Sequence, residues 1–211
     1  MSEIIEKILE SKVVAIIRGI SSDYVIDTVQ ALKDGGIVCV EITFNPNSVE
    51  ASKDTLKSIR MVREYFKGEI ALGAGTVMTA KNVEDAYAAG AEYMISPNVG
   101  IEVIKKTKQL GAVSIPGAVT PTEAVTAVEA GADIIKLFPA GDLGVGYLKS
   151  LTSPLSHIRF MATGGIHAQN AQDFIKAGAI GVGVGGNLVN KKLIEAGRFE
   201  EIRKLAKEYR F

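Results

Sequence analysis

Apolar residues along this chain keep two rhythms in turn. Residues 2–11 place Ile4, Ile5, Ile8 and Leu9 at helical spacing, which predicts a short amphipathic helix at the N-terminus. Val13-Val14-Ala15-Ile16-Ile17-Arg18 then reads as a strand, and the succession of strand and helix repeats to the end. Further strands are predicted at 38–44, 70–76, 93–97, 113–116, 134–138, 159–163 and 181–185. The helices between them carry their own punctuation. Thr120-Pro121-Thr122-Glu123 has an N-cap, a first-turn proline and a capping-box glutamate. Ala89-Gly90-Ala91, Ala130-Gly131-Ala132 and Ala177-Gly178-Ala179 each supply the glycine that a left-handed helix end favours, just before the next strand.

About eight such βα units without a linker or composition break predict a single domain over residues 1–211, a (β/α)₈ TIM barrel with a short N-terminal helix. A doubly wound sheet is the other α/β arrangement with this alternation. The barrel is favoured because the polar, proline and glycine residues gather at the C-terminal ends of the strands, where barrel enzymes build their sites. They include Arg18, Glu41 to Asn45, Gly73 to Thr76, Ser96-Pro97-Asn98, Pro116-Gly117, Lys136 to Pro139, Thr163-Gly164-Gly165 and Gly183 to Asn187.

Two of these residues interrupt strands that are otherwise apolar. In Ile134-Ile135-Lys136-Leu137-Phe138, alternation puts Ile134, Lys136 and Phe138 on one face. An ammonium confined there is desolvated, its pKa falls, and the neutral amine becomes a nucleophile toward a carbonyl. Glu41 breaks Val38-Cys39-Val40-Glu41-Ile42-Thr43-Phe44 in the same way, with Cys39 and Thr43 on its face. A salt bridge that only neutralised the pair would be a costly way to fill a core, so a proton shuttle beside a nucleophilic lysine is the favoured reading. Arg18, at a strand end, suits a carboxylate or phosphate clamp as well as it suits an ordinary rim position.

The late glycine runs, Thr163-Gly164-Gly165 and Gly181-Val182-Gly183-Val184-Gly185-Gly186, fall where barrels hold phosphate on backbone N–H groups. The second run also spells G-x-G-x-x-G, but with the chain ending at Phe211 too little follows it for a dinucleotide-binding half. No metal site is expected: His157 and His167 are the only histidines, without ligand partners at helical spacing, and Cys39 is the only cysteine. A serine triad lacks its G-x-S-x-G elbow.

Composition adds exclusions. With 24 basic against 24 acidic residues and no basic run, nucleic acid and anionic membrane are not expected partners. The lone cysteine suits a reducing cytoplasm and a core-filling role, and the charged N-terminus reads neither as a secretory signal nor as a span.

Glu41 in E-I-T-F-N, Gly73-Ala74-Gly75-Thr76-Val77, Ser96-Pro97, Pro116-Gly117, Lys136-Leu137-Phe138-Pro139-Ala140 and Thr163-Gly164-Gly165-Ile166 resemble, in order and spacing, the 2-keto-3-deoxy-6-phosphogluconate (KDPG)/4-hydroxy-2-oxoglutarate (KHG) aldolase family. The resemblance runs through nearly the whole chain. It implies a class I aldolase on a (β/α)₈ barrel, usually a homotrimer, that uses no metal or other cofactor and releases pyruvate from a phosphorylated keto acid. It further implies that Lys136 forms the Schiff base and Glu41 moves protons. Arg18, Thr76 and Thr163 would lie near the pyruvate moiety, Pro116 and Phe138 would line the pocket, and Gly164, Gly165, Gly185 and Gly186 would meet the phosphate.

This chain departs from the family pattern at three places. Asn45 stands where some members carry arginine, Gly186 where many carry serine, and Ala162 where the motif has proline. Lys136 and Glu41 are unaffected, so a 6-phosphogalactonate-type or 4-hydroxy-2-oxoglutarate substrate stays open beside KDPG. An isomerase or epimerase with Glu41 as base is the competing reading on the same fold.

Overall fold

The computed structural model describes residues 2–211 as one ring of parallel strands wrapped by helices. The N-terminal helix α1 (Glu3–Ser11) is followed by β1 (Val13–Ile17), α2 (Ser22–Asp34), β2 (Cys39–Thr43), α3 (Val49–Phe66), β3 (Ala71–Gly75), α4 (Ala80–Ala89) and β4 (Tyr93–Ile95). Then come α5 (Ile101–Gln109), β5 (Val113–Ile115), β6 (Gly117–Ala118), α6 (Pro121–Glu129), β7 (Ile135–Leu137), α7 (Ala140–Thr152), β8 (Phe160–Thr163), α8 (Ala168–Lys176) and β9 (Gly181–Val184). Two helices, α9 (Lys191–Glu195) and α10 (Phe199–Lys207), finish the chain.

The strand order is β5-β4-β3-β2-β1-β9-β8-β7-β6. Since β5 and β6 are successive pieces of one stretch of chain, the ring closes at Pro116 and has eight staves, as the alternation predicts. The strand that sequence patterning places at 113–116 is thus longer and divided. Proline has no N–H to give a ladder, so β5 pairs with β4 before it and β6 pairs with β7 after it. The Pro116 carbonyl still accepts from the Lys136 N–H at 2.9 Å.

Alternation sorts the side chains into two cores. Val13, Ala15 and Ile17 of β1, Val40 and Ile42 of β2 and Leu72 and Ala74 of β3 pack outward against the helices. Val14, Cys39, Ala71, Tyr93, Ile95, Val113, Ile115, Ile134 and Met161 fill the lumen. Ile5 and Ile8 of α1 join this inner cluster, so the predicted N-terminal helix stoppers the foot of the barrel. Burial pushes the Cys39 thiol up to about 12, which leaves it an inert filler.

The punctuation behaves as expected. Thr120 and Glu123 form a capping box, and Gly90, Gly131 and Gly178 each adopt φ +108°. The residue two places after the first two of these glycines staples the foot of the sheet. Glu92 accepts from the Leu72 N–H at 3.2 Å and Asp133 from the Ser114 N–H at 2.8 Å. Among the described residues no helix is long and apolar enough to cross a membrane.

Candidate active site

Lys136 stands in the middle of β7 and points into the lumen, only 8 % exposed. Glu41, in the middle of β2 on the other side of the ring, is 2 % exposed. Both line a tight crevice in the lumen together with Val14, Ile16, Ile95, Met161, Thr163 and Gly183. Among the described residues no ion pair within 4.0 Å joins the two, and Glu41 Oε2 is buried without a hydrogen-bond partner. The salt bridge that would merely neutralise the pair is therefore not formed.

The electrostatics follow from dry surroundings. Burial drives the Glu41 pKa above the ordinary carboxylate value, while the positive charges of Lys136 and Arg18 pull it back. Burial likewise lowers the Lys136 pKa, with Glu41 opposing the shift and Arg18 adding to it. Each group is displaced toward its neutral form, the direction that suits an amine for attack on a carbonyl and a carboxyl for holding a proton.

Arg18 follows β1 at the rim and reaches across β2 to donate from Nη2 to Thr76 Oγ1, just after β3, at 2.9 Å. Thr76 is held at φ +56°, a left-handed conformation that a β-branched residue rarely adopts, immediately after the inward glycines of β3. Thr163 sits at the end of β8, buried, with Oγ1 unpartnered. A Cβ on Gly183 would come within 2.6 Å of that oxygen, so the β9 glycine is what admits the threonine to the lumen. Phe138 lies just beyond β7, 40 % exposed, with Lys136 Nζ 5.1 Å from its ring centroid. Pro116 is buried at the seam of the barrel. Lys136, Glu41 and Thr163 thus share the lumen, Arg18, Thr76 and Phe138 stand at its C-terminal rim, and Pro116 meets Lys136 through its carbonyl.

The four rim glycines divide into two kinds. A Cβ on Gly164 would lie 2.9 Å from the Phe138 ring and one on Gly165 would lie 3.1 Å from Gly141 Cα; the Gly164 carbonyl accepts from the Gly141 N–H at 2.7 Å. These two are packed under the turn after β7. Gly186, in contrast, has nothing within 4 Å of a built Cβ, and Gly185 has only Ile16 Cβ at 4.0 Å. A second, open cavity on the other side of the rim is lined by Arg18, Ser21, Thr43, Asn45 and Asp54 among others. Sequence reasoning missed the apolar cavity wall of Ile16, Ile95 and Met161 and the role of Gly183. Inward positions on flanking strands are the signal that would have found them.

A closed parallel barrel with a buried amine and a buried carboxyl in its lumen, below a C-terminal rim of polar residues and glycines, is of the class of barrel enzymes that build their sites at that rim. Comparison with known proteins narrows it. The family described as KDPG and KHG aldolase matches residues 4–205, and this chain belongs to it; the protein is a carbon–carbon lyase. It is 36% identical over 176 residues to the 2-dehydro-3-deoxy-6-phosphogalactonate aldolase of Escherichia coli strain K12, covering 83% of each chain. It is 33% identical over 208 residues to the 2-dehydro-3-deoxy-phosphogluconate aldolase of Haemophilus influenzae, covering 98% of this chain and 94% of that one. Among solved structures, KDPG aldolase from Legionella pneumophila, with pyruvate captured as a covalent carbinolamine intermediate, superposes with a TM-score of 0.89 at 25% identity, covering 100% of this chain and 99% of that one.

Proposed function

We propose that this protein is a class I aldolase that cleaves 2-keto-3-deoxy-6-phosphogluconate, or its galactonate epimer, to pyruvate and glyceraldehyde 3-phosphate. The observation that carries this reading is the buried Lys136 facing Glu41 across one crevice of the lumen with no ion pair joining them. Neutral Lys136 Nζ attacks the keto carbon, its proton passes to the former keto oxygen, and the Glu41 carboxyl gives a second proton to that oxygen so that it leaves as water, giving an iminium and the Glu41 carboxylate. Glu41 takes the proton of the C4 hydroxyl as the C3–C4 bond breaks and its electrons pass into the iminium. The resulting enamine receives a proton at C3 from Glu41, and hydrolysis frees pyruvate and the amine.

Arg18 and Thr76 are suited to the substrate carboxylate, since their mutual hydrogen bond already fixes them at the mouth of the lumen. Thr163 offers a free hydroxyl inside it, and Phe138 and Pro116 supply apolar walls. Gly185 and Gly186 provide open backbone for the phosphate, with Gly164 and Gly165 forming the adjacent turn. The galactonate reading is favoured by the 36% identity to the Escherichia coli enzyme. Cleavage of 4-hydroxy-2-oxoglutarate to pyruvate and glyoxylate is a side activity of the same chemistry. A cytoplasmic homotrimer is the assembly proposed, which light scattering in solution would register as three times 22.4 kDa.

Borohydride reduction with pyruvate, followed by digestion and mass analysis, tests the covalent step. The expected result is an adduct on the peptide that contains Lys136, and loss of turnover by at least about 10³-fold in Lys136→Ala. An unmodified peptide, or a Lys136→Ala variant within about tenfold of wild type, defeats the reading.

A further inference from the structure

Two glycines of β3 face the lumen, and neither leaves a void. A Cβ on Gly75 would come within 2.9 Å of Glu41 Cδ and Oε1 and 2.8 Å of Thr43 Cγ2. A Cβ on Gly73 would fall 2.0 Å from Tyr93 Cε2. Glu41 is the register partner of Gly73, and Gly73 of Tyr93, so the three form one row across β2, β3 and β4. A carboxyl stands at one end of the row, a phenol at the other, and bare backbone lies between. Glu41 leans over Gly75 toward the rim. Tyr93 crosses Gly73 toward the foot, where its hydroxyl donates to the Val40 carbonyl at 2.5 Å and stands 3.5 Å from that of Ala71. Val40 immediately precedes Glu41 in β2.

We propose that Tyr93 is a positioning residue for Glu41. The proposal rests on the reading of Glu41 as the proton shuttle and adds what holds the shuttle in place. Glu41 Oε2 has no hydrogen-bond partner, and the carboxyl lies against the bare backbone of Gly75, so packing on β3 orients it. The trough made by Gly73 and Gly75 lets Glu41 lie across β3, and the fully buried Tyr93 ring fills the lower half of that trough. The phenol hydroxyl ties β2 down one residue away from the carboxylate. A carboxyl that serves two carbon centres in one cycle must keep its place to a fraction of an ångström, because a misplacement of about 1 Å can cost about 10²-fold in rate.

Pyruvate alone is a sufficient probe. In deuterated water Lys136 Nζ condenses with its keto carbon with loss of water, and the iminium yields a methyl proton to the Glu41 carboxylate to become the enamine. The carboxyl exchanges with solvent and returns a deuteron to the same carbon, and hydrolysis releases deuterated pyruvate. Proton NMR follows this exchange, whereas borohydride trapping counts the iminium. We expect Tyr93→Leu to slow exchange about 10²-fold and Tyr93→Phe about fivefold, with trapping at Lys136 unchanged in both. A merely structural role would depress trapping and exchange together, and that outcome overturns the proposal. So does a Tyr93→Phe enzyme that exchanges within about twofold of wild type, whether or not Tyr93→Leu folds. A failure of the underlying reading looks different: no adduct in the wild type, or a Glu41→Gln variant that exchanges as fast as wild type.

Discussion

The glycines of β3 and those after β9 stand three staves apart around the ring and differ in what occupies the space before them. Gly73 and Gly75 are filled in by the protein itself, one by the ring of Tyr93 and the other by the carboxyl of Glu41. Gly186 has nothing beside it and Gly185 only Ile16 Cβ at 4.0 Å. A missing side chain can therefore make room for the enzyme's own machinery or for a ligand, and only the built neighbours of the position tell the two apart.

That contrast is broken or sharpened by three changes. The largest effect is expected from Gly75→Ala, whose Cβ would drive Glu41 and Thr43 aside. Turnover should fall about 10²-fold or more, and stability by about 1–3 kcal/mol, read from steady-state kinetics and urea unfolding. Near-normal activity would mean that the carboxyl does not need the trough.

Glu41→Gln probes the same wall through stability. The Glu41 pKa is raised in the folded state, so the protein favours the protonated side chain, and the contribution made at acid pH is lost as pH rises through the folded-state value. The amide is free of that loss. The variant should melt with wild type below about pH 4, where the ordinary carboxyl is protonated, and melt higher than wild type at neutral pH. A lower melting temperature at neutral pH would indicate that the carboxylate is stabilised there.

The smallest effect is expected on the open side. Gly186→Ser adds a hydroxyl where nothing obstructs it, at a position outside the left-handed region. It should leave the fold and borohydride trapping unchanged and lower KM for phosphorylated substrates about three- to tenfold, the worth of one added hydrogen bond. An unchanged KM would place the phosphate elsewhere.

Much of this was legible in the chain. Period-two alternation put Glu41 and Lys136 on inward faces, and the Ala-Gly-Ala stops and the Thr120 box marked helix ends, because these signals are local. What escaped depends on register between strands distant in sequence. Nothing near Arg18 announces that it reaches Thr76, and nothing near Gly73 announces the ring of Tyr93. The division of the fifth stave at Pro116 is a matter of which neighbour each half pairs with, a choice made by the closing of the ring. The two kinds of rim glycine look alike as letters for the same reason: Gly164 and Gly165 are occupied by a turn contributed from β7.

The Pro116 seam has a consequence of its own. The barrel is clasped at a residue that cannot donate, and the clasp is fastened partly by the main-chain N–H of Lys136. Any parting of the ring at that joint would be felt first by the stave bearing the amine, admitting solvent beside it and easing the desolvation that lowers its pKa. The dryness around Lys136 and the integrity of the hoop thus share one fastening.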